Sequence, residues 1–314
     1  MTELSYLQAV VIGALQGVTE LFPVSSLGHS VLVPAWIGGS WQHLVTENAT
    51  GNSEGSPYLA FIVALHVATA ASLLFFYRKD WARIIRAFIT TVRTRQVATS
   101  TERLAWLLVV ATIPVGITGL ALEHTFRTLF AKPLAAAVFL TANGLILLVG
   151  ERLRRRSEAR QAGVPARAVS AGPGAALEAD VRAGARSRSL DALSYREAGV
   201  IGLFQTLALL AGISRSGITM VGGLLRGLDH EDAAKFSFLL ATPVILAAGV
   251  LKLPSLAGPA GAHIHGQVIV GFFTAAIAAY TAVRFLSRYF TTRTLTPFAV
   301  YCLLAGGASI IWFA

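Results

Sequence analysis

Charged residues and cysteine are both scarce in this chain of 314 residues. Only 13% of the residues are charged, whereas a soluble globular protein has roughly 25%. The single cysteine, Cys302, lies in an apolar stretch, which excludes an intramolecular disulfide and a cysteine-based metal site. Lysine and arginine are absent from the first 77 residues. These absences exclude an ordinary soluble domain, a disordered chain and a disulfide-stabilised scaffold.

Apolar residues are abundant instead, at 54% of the chain, and the mean hydropathy is +0.64. A helix that crosses a bilayer needs about 20 predominantly apolar residues. Six stretches approach this length and have polar flanks, which predicts membrane spans at 58–77, 104–122, 133–150, 236–251, 267–286 and 297–313.

Two further apolar segments, 5–38 and 197–225, are interrupted by glycine and serine near their centres. Each segment is too long for one span and too short for two, which predicts a re-entrant helical hairpin. Irregular backbone at membrane depth has to be buried in protein or line a wet cavity. We therefore expect the tips of the two hairpins to meet inside the protein.

The two hairpins also align with each other without a gap. The matched pairs are Gly13 with Gly202, Gln16 with Gln205, Leu21 with Leu210, Ser25 with Ser214, Gly28 with Gly217, and Ser30 with Thr219. Three predicted spans follow each hairpin, as in an internal duplication. The sequence therefore predicts an all-α polytopic membrane protein built as an inverted-topology repeat, with halves 1–150 and 197–314.

The positive charge is concentrated on one side of this topology. The formal net charge is +10, and 22 of the 26 lysines and arginines fall in or beside loops that alternate to the same side, which the positive-inside rule makes cytoplasmic. Segment 151–196 is rich in Arg, Ala, Gly and Ser, and predicts a disordered cytoplasmic linker near membrane lipids. Since no zinc-ligand or basic–aromatic pattern is present, nucleic acid is not an expected partner.

Polar side chains within the hairpins are candidates for chemistry. Glu20 and Arg215 are ionisable residues at membrane depth, which either line a functional cavity or form a structural ion pair between the hairpins. A guanidinium group with clustered hydroxyls and helix N-termini is suited to bind phosphate. The hydroxyl-bearing residues of the two tips are Ser25, Ser26, Ser214, Ser216 and Thr219. For each of them, capping of a helix is the competing interpretation.

Glu20 and His29 extend this set toward catalysis. A carboxylate beside a phosphate site holds a divalent metal or activates a nucleophile, and Gln16 lies one helical turn before Glu20. A histidine serves as acid, base or phosphoryl acceptor. The pattern indicates cleavage of a phosphate or diphosphate ester at a membrane. His66, on a predicted span, either lines the cavity or is a buried structural histidine, and the structural interpretation is preferred.

Two segments carry a resemblance to a known family. Residues 16–29 (QGVTELFPVSSLGH) and 211–219 (AGISRSGIT) resemble the two motifs of the undecaprenyl-diphosphate phosphatases, also called bacitracin-resistance proteins. The resemblance implies hydrolysis of undecaprenyl diphosphate to undecaprenyl phosphate and inorganic phosphate. It also implies recycling of the lipid carrier for cell-wall synthesis, bacitracin resistance, and a Mg²⁺ or Ca²⁺ cofactor. The site would open to the outer face of the bacterial cytoplasmic membrane.

The resemblance implies roles for individual residues. Arg215 is expected to bind the diphosphate, and Glu20 to act as metal ligand or base, with Gln16 assisting through water. Ser26 is a candidate nucleophile with His29 as its proton partner, while attack by His29 itself or by water stays open. Phosphate hydrogen bonds are expected from Ser25, Ser214, Ser216 and Thr219. The competing hypothesis is a polyprenyl-phosphate transporter with the same midplane site, and homo-oligomerisation is a further open expectation.

Overall fold

The computed structural model describes residues 4–42, 57–121, 132–161, 188–256 and 264–314. Within these ranges the regular structure is helical, apart from one isolated bridge between Arg188 and Leu228. The α-helices are α1 (Tyr6–Thr19), α2 (Ser26–Ile37), α3 (Pro57–Phe76), α4 (Arg78–Thr94), α5 (Ser100–Ala121), α6 (Pro133–Gln161), α7 (Tyr195–Thr206), α8 (Arg215–Leu224), α9 (His230–Leu256), α10 (His265–Tyr289) and α11 (Thr296–Phe313). The all-α class is thereby confirmed.

Five of the described helices, α5, α6, α9, α10 and α11, are long and apolar enough to cross a membrane. A sixth span results if α3 and α4, which meet at an 87° bend, are counted as one broken span. Each of the six stretches predicted from hydropathy overlaps one of the helices α3, α5, α6, α9, α10 or α11. The chain is therefore a multi-pass membrane protein.

The helices of the two predicted hairpins are too short to cross a bilayer. α1 has 14 residues and α2 has 12, which at 1.5 Å per residue gives about 21 and 18 Å, against an apolar layer of about 30 Å. α7 and α8 have 12 and 10 residues. Each pair is separated by a break, and Gly212 in the second break has a φ of 117°, which only glycine adopts readily.

The charged segments are more ordered than predicted. Segment 78–103, the connection between the predicted spans 58–77 and 104–122, contains α4 and the first turn of α5. The predicted disorder from 151 is wrong at both ends of the linker, since α6 continues to Gln161 and the chain is again ordered from Arg188. The extension of α6 is stabilised by ion pairs three and four residues apart, from Arg154 and Arg155 to Glu151. Residues 162–187 lie outside the described part of the chain.

Small residues allow the first hairpin to pack closely on α10. A Cβ added at Gly13 would lie 2.7 Å from the carbonyl oxygen of Gly271, and one added at Gly266 would lie 3.2 Å from the ring of Tyr6. Residue numbers rise together along the contact, so α1 and α10 run parallel. Backbones that approach this closely are typical of membrane helix interfaces, where dispersion replaces the hydrophobic effect.

The second hairpin packs on α5 in the same way. A Cβ added at Gly202 would lie 3.0 Å from the Cα of Ala111. About two turns earlier on both helices, the guanidinium of Arg103 stacks over the ring of Tyr195 at 5.8 Å. These two helices, α7 and α5, are therefore also parallel. Each hairpin is thus held mainly by a span that belongs to the other half of the sequence.

The contact between α6 and α11 is reciprocal. A Cβ added at Gly144 would meet the backbone of Ala299 and Leu303 at 2.9 Å, and one added at Gly306 would meet Thr141 at 2.7 Å and Ala137 at 3.0 Å. As residue numbers rise along α6 they fall along α11, so the two helices are antiparallel. Each of the two glycines meets the residues three and seven positions before the other glycine. The contact is therefore approximately two-fold symmetric.

Candidate phosphate site

The breaks of the two hairpins meet, as the sequence predicts. The hydroxyl groups of Ser214 and Ser216 both donate to the carbonyl oxygen of Phe22, at 3.4 and 3.1 Å. In the opposite direction, the amide of Gly212 donates to the hydroxyl oxygen of Ser25 at 3.2 Å. These hydrogen bonds, which involve no charged group, pair backbone with side-chain atoms and join the two tips.

Two helices begin at this junction with the same cap. The hydroxyl of Ser25 accepts from the amide of Gly28, and that of Ser214 from the amide of Gly217, each at 3.2 Å. Ser25 and Ser214 are therefore the N-caps of α2 and α8. Ser25 has a φ of 70°, a strained value for serine. The positive ends of two helix dipoles consequently converge on one buried region, which favours an anion there.

Glu20 is the centre of the polar cluster. Its Oε1 accepts from Nη2 of Arg215 at 2.8 Å, so the carboxylate of one hairpin is paired with the guanidinium of the other. Its Oε2 accepts from the amide of Gln16 at 3.1 Å and from the hydroxyl of Ser26. Glu20 is 7% exposed and the Arg215 side chain 12%. The structure thus brings together Gln16, Glu20, Ser26 and Arg215, four residues that the sequence analysis singled out.

His29, expected as the proton partner of Ser26, is hydrogen-bonded to other groups. Nδ1 of His29 lies 2.7 Å from the carbonyl oxygen of Ser25, one turn earlier in the chain, and Nε2 lies 2.7 Å from the hydroxyl of Tyr301 on α11. Both ring nitrogens are therefore occupied, and the ring faces α11 rather than Ser26. The hydroxyl of Ser26 donates to Glu20 instead, which corrects the expected pairing of Ser26 with His29.

Several buried polar atoms around the ion pair have no hydrogen-bond partner within the described residues. They are Oε1 of Gln16, Nη1 of Arg215, Oγ1 of Thr219 and Oγ of Ser30. Buried polar atoms are almost always paired in folded proteins, so unpaired ones require an explanation. These four include acceptors and donors, and apart from Arg215 itself each belongs to a residue one helical turn along the chain from Glu20, Ser26 or Arg215.

Two further polar residues lie at the site: Asn143, which was not identified from the sequence, and His66, for which a structural role was preferred to one in the cavity. Asn143, fully buried on α6, donates to the carbonyl of Pro23 and accepts from the amide of Ser214, both at 3.0 Å. His66 on α3 lies 3.4 Å from the Glu20 carboxylate, although its Nδ1 is bound to the carbonyl of Ile62, as a structural histidine would be. An isolated Asn or His within an apolar span was the only signal for either residue.

The donor set has one carboxylate. Among the described residues, no three His, Cys, Asp or Glu side chains are close enough together to hold a metal ion. Glu20 and the unpaired Oε1 of Gln16 nevertheless supply two oxygen ligands four residues apart on one helix. Mg²⁺ is commonly held by one or two protein oxygens together with water and substrate phosphates, so these residues fit a cation that the substrate helps to bind.

The fold and the site define a polytopic helical membrane protein with a buried carboxylate–guanidinium–hydroxyl cluster where two hairpins meet. The family described as "Bacitracin resistance protein BacA" matches residues 9–308. Because the match covers nearly the whole chain, the protein belongs to this family.

Curated relatives agree with this assignment. "Undecaprenyl-diphosphatase 2" of Frankia alni is 69% identical over 341 aligned positions, covering 100% of this chain and 99% of the relative. "Undecaprenyl-diphosphatase" of Mycolicibacterium paratuberculosis is 57% identical, covering 99% and 98%. The protein of the same name from Mycobacterium avium is also 57% identical with the same coverage. The similarity therefore extends over the full length of proteins that carry one activity in their names.

Proposed function

We propose that this protein hydrolyses undecaprenyl diphosphate to undecaprenyl phosphate and inorganic phosphate, in the bacterial cytoplasmic membrane. The observation that carries the proposal is the group of unpaired buried polar atoms around the Glu20–Arg215 pair. Diphosphate oxygens would supply the missing hydrogen-bond partners of Nη1 of Arg215 and of the Thr219 hydroxyl. By this activity the lipid carrier is recycled for cell-wall synthesis, and resistance to bacitracin follows.

Arg215 has the geometry of a phosphate clamp. One guanidinium nitrogen binds Glu20 at 2.8 Å, while the other is unpaired and buried. The guanidinium would therefore bind phosphate with the free nitrogen while Glu20 fixes its orientation. The N-termini of α2 and α8 add partial positive charge, while the hydroxyls of Ser25, Ser214 and Ser216 hold the junction between the hairpins in place. Charge that develops on the phosphoryl oxygens is thereby stabilised.

The hydroxyl of Ser26 is the nucleophile that the geometry favours, because it already donates to Glu20. Its oxygen attacks the terminal phosphorus, its proton passes to Glu20, and the bond to the bridging oxygen breaks to release undecaprenyl phosphate. Water then attacks the phosphoserine. As that bond breaks, Glu20 returns its proton to the Ser26 oxygen, and phosphate leaves. A divalent cation, Mg²⁺ or Ca²⁺, would be held by Glu20 and Gln16 and would neutralise diphosphate charge.

Phosphate release by the chain reconstituted in vesicles tests the proposal. Replacing Arg215 by lysine removes the second guanidinium nitrogen, and we expect kcat/KM to fall at least 100-fold, as for loss of one transition-state donor. The matched variant Arg103→Lys alters an arginine that binds the carbonyl of Leu193 outside the site, and should retain activity. Unchanged phosphate release by Arg215→Lys would refute the assignment of the site.

A trapping experiment identifies the nucleophile. Rapid acid quench with substrate labelled in the terminal phosphate should give a phosphoserine that is absent from Ser26→Ala and present in His29→Ala. In a parallel alkaline quench, which preserves an acid-labile phosphoramidate, a phosphorylated wild-type chain would instead identify His29. If no phospho-enzyme forms under any condition, direct attack by water with Glu20 as base is the remaining mechanism.

The inverted-topology repeat belongs to the same proposal. Two observations support it: α6 and α11 make an antiparallel two-fold contact, and each hairpin packs in parallel on a span of the other half, α1 on α10 and α7 on α5. With the basic ends of the spans in the cytoplasm, the first hairpin enters from outside and the second from inside. The site would then open to the outer face. Labelling of single cysteines introduced at positions 5 and 194 by an impermeant reagent should place these N-caps on opposite faces.

The same architecture favours polyprenyl-phosphate transport as a second candidate, since inverted repeats with half-helices at the midplane are frequent in transporters. Movement of a fluorescent polyprenyl phosphate across vesicles distinguishes the two functions. Transport that survives Ser26→Ala, while phosphate release is lost, would show that both reside in one chain. Transport without any hydrolysis by the wild type would overturn the phosphatase. Homo-oligomerisation stays a prediction.

A further inference from the structure

The helix α4 leaves the membrane-spanning direction abruptly. It follows the apolar α3 at an 87° bend, and its 17 residues extend for about 25 Å at the helical rise of 1.5 Å per residue. A helix perpendicular to the end of a span lies along the membrane surface rather than across it. The side chains on each face of α4 therefore indicate which part of the membrane or protein that face contacts.

One face of α4 is attached to the protein. Ile84 and Thr91 are buried, and the hydroxyl of Thr91 accepts from the indole of Trp106 on α5 at 2.9 Å. The rings of Phe88 and Trp106 lie 5.2 Å apart. These contacts fix the rotation of α4 about its own axis, so the direction of every other face follows from the helical period.

A second face is apolar and exposed. Ile85 is 52% exposed, Ile89 44% and Val92 55%. Their spacing of four and three residues places them in one row, about 100° around the axis from the buried face. Three large aliphatic side chains in one exposed row are unfavourable against water. At the end of a membrane span, acyl chains are the apolar medium available to them.

A third face carries unbalanced positive charge. Lys79, Arg86 and Arg93 are exposed, recur every seven residues, and have no acidic partner among the described residues. The one acidic residue of α4, Asp80, is already bound by Arg83 at 2.9 Å and by Lys235 at 3.4 Å. The apolar row and the basic face are neighbours on α4, about 100° apart around its axis. An interfacial helix has this arrangement when its basic residues reach from the acyl boundary to the headgroups.

The neighbouring span extends the positive surface. The hydroxyl groups of Tyr77, at the bend, and Ser287, near the end of α10, lie 3.3 Å apart. Arg284 and Arg288 on that end of α10 are also exposed. The cationic surface therefore continues from α4 onto the adjacent span, at the level where α3 leaves the membrane.

We infer that α4 lies in the headgroup layer and binds anionic phospholipid, with Ile85, Ile89 and Val92 among the acyl chains and Lys79, Arg86 and Arg93 on the lipid phosphates. The assignment of the partner rests on charge complementarity between three unpaired cations and an anionic headgroup beside an apolar row. It is independent of the proposed phosphatase activity. The bilayer itself would thereby fix the bend between α3 and α4.

Two adjacent nitroxide labels test the depth of α4. The native Cys302 is buried, so cysteines introduced as Ile89→Cys and Thr90→Cys can be labelled in the full chain in vesicles with a third anionic lipid. The label at position 89 should be accessible to oxygen and protected from a polar nickel reagent, at about 5–10 Å below the headgroups. The label at position 90, about 100° away, should show the reverse.

Equal access of the nickel reagent to both labels would overturn the inference. Spin–spin broadening at position 89 that disappears on dilution with unlabelled chain would also overturn it, because a second copy would then cover the row.

Charge neutralisation tests the headgroup preference. With a fluorine label on the cysteine of the Ile89→Cys variant, relaxation caused by nitroxide-headed phosphatidylglycerol is compared with that caused by nitroxide-headed phosphatidylcholine. The ratio should fall at least 5-fold when Arg86→Gln and Arg93→Gln are added, since each such charge contributes roughly a 5-fold preference. The control pair Arg156→Gln and Arg160→Gln removes two exposed cations from the end of α6 and should leave the ratio unchanged. A ratio that is unchanged in the first variant, or lowered equally in both, would exclude specific binding by α4.

Discussion

Asn143 joins the two hairpins, and its replacement should weaken both stability and activity. Its side chain donates to the carbonyl of Pro23 in the first break and accepts from the amide of Ser214 in the second, each at 3.0 Å. Pro23 lies three residues from both Glu20 and Ser26, and Ser214 immediately precedes Arg215. One fully buried side chain therefore sets the relative position of the carboxylate and the guanidinium.

The expected cost of Asn143→Ala can be worked out from these two bonds. The change leaves one carbonyl and one amide unpaired in an apolar surrounding, and each such group costs about 1–3 kcal/mol. The free energy of unfolding should therefore fall by about 2–6 kcal/mol, with Cys302, 3.8 Å from the Pro23 carbonyl, compensating little. Because the displaced groups flank the residues that we propose to react with the substrate, kcat should fall more than KM changes.

Thermal unfolding in nanodiscs and phosphate release measure the two effects. Asn143→Asp separates them, because it retains an acceptor for Ser214 but places a carboxylate oxygen against the Pro23 carbonyl. Cys302→Ala is the matched control, since its sulfur contacts Asn143 at 3.3 Å without joining the hairpins. An Asn143→Ala variant with wild-type stability and kcat, or one that changes no more than Cys302→Ala, would refute the positioning role.

Three further outcomes are expected. Gly17→Ala should destabilise the protein by about 1–3 kcal/mol, because its Cβ would lie 2.8 Å from atoms of α10, whereas Gly116→Ala, with nothing within 4 Å, should not; thermal unfolding compares them. Gln16→Glu should lower the Mg²⁺ concentration for half-maximal phosphate release about tenfold, as about 1.4 kcal/mol of added charge attraction suffices. The hydrogen bond from Arg188 lowers the pKa of Glu197 to about 2. The ion pair of Glu197 with Arg188 therefore stabilises the fold fully above pH 4.5, and this stabilisation is lost as the pH falls toward 2. Hydrogen exchange of the Arg188 amide, corrected for the intrinsic rate, should show this loss of protection. The Glu197→Gln variant should lack the protection at every pH.

The architecture was largely predictable because the bilayer imposes simple rules on composition. Spans follow from the length of apolar runs, and the hairpin breaks follow from glycine and serine within them. The ordered charged segments were missed because their charge conceals helical periodicity. In α4, Ile84 and Thr91 recur seven residues apart on the buried face. In α6, the helix beyond 150 depends on ion pairs such as Arg155–Glu151, which composition alone does not reveal.

The sequence indicated which residues form the site better than it indicated which hydrogen bonds they make. Rare ionisable residues in apolar helices identify Glu20 and Arg215, because burial of an unpaired charge would be very unfavourable. The partner of the Ser26 hydroxyl depends instead on side-chain direction. His29 lies only three residues away in sequence, yet its ring turns toward α11. Asn143 was missed since a single amide on an apolar helix indicates its importance without indicating which groups it joins.

The proposed duplication explains why one site arises from two similar hairpins. In the gapless alignment that matches Gln16 with Gln205, the position of Ser26 in the first hairpin is held by Arg215 in the second. These two equivalent residues bind the two oxygens of the same carboxylate, Glu20. The position of Glu20 is held by Leu209 in the second hairpin. Because the second hairpin has no carboxylate at the matching position, the hydroxyl of Ser26 and the guanidinium of Arg215 share one carboxylate, and the two similar hairpins form a single ion pair.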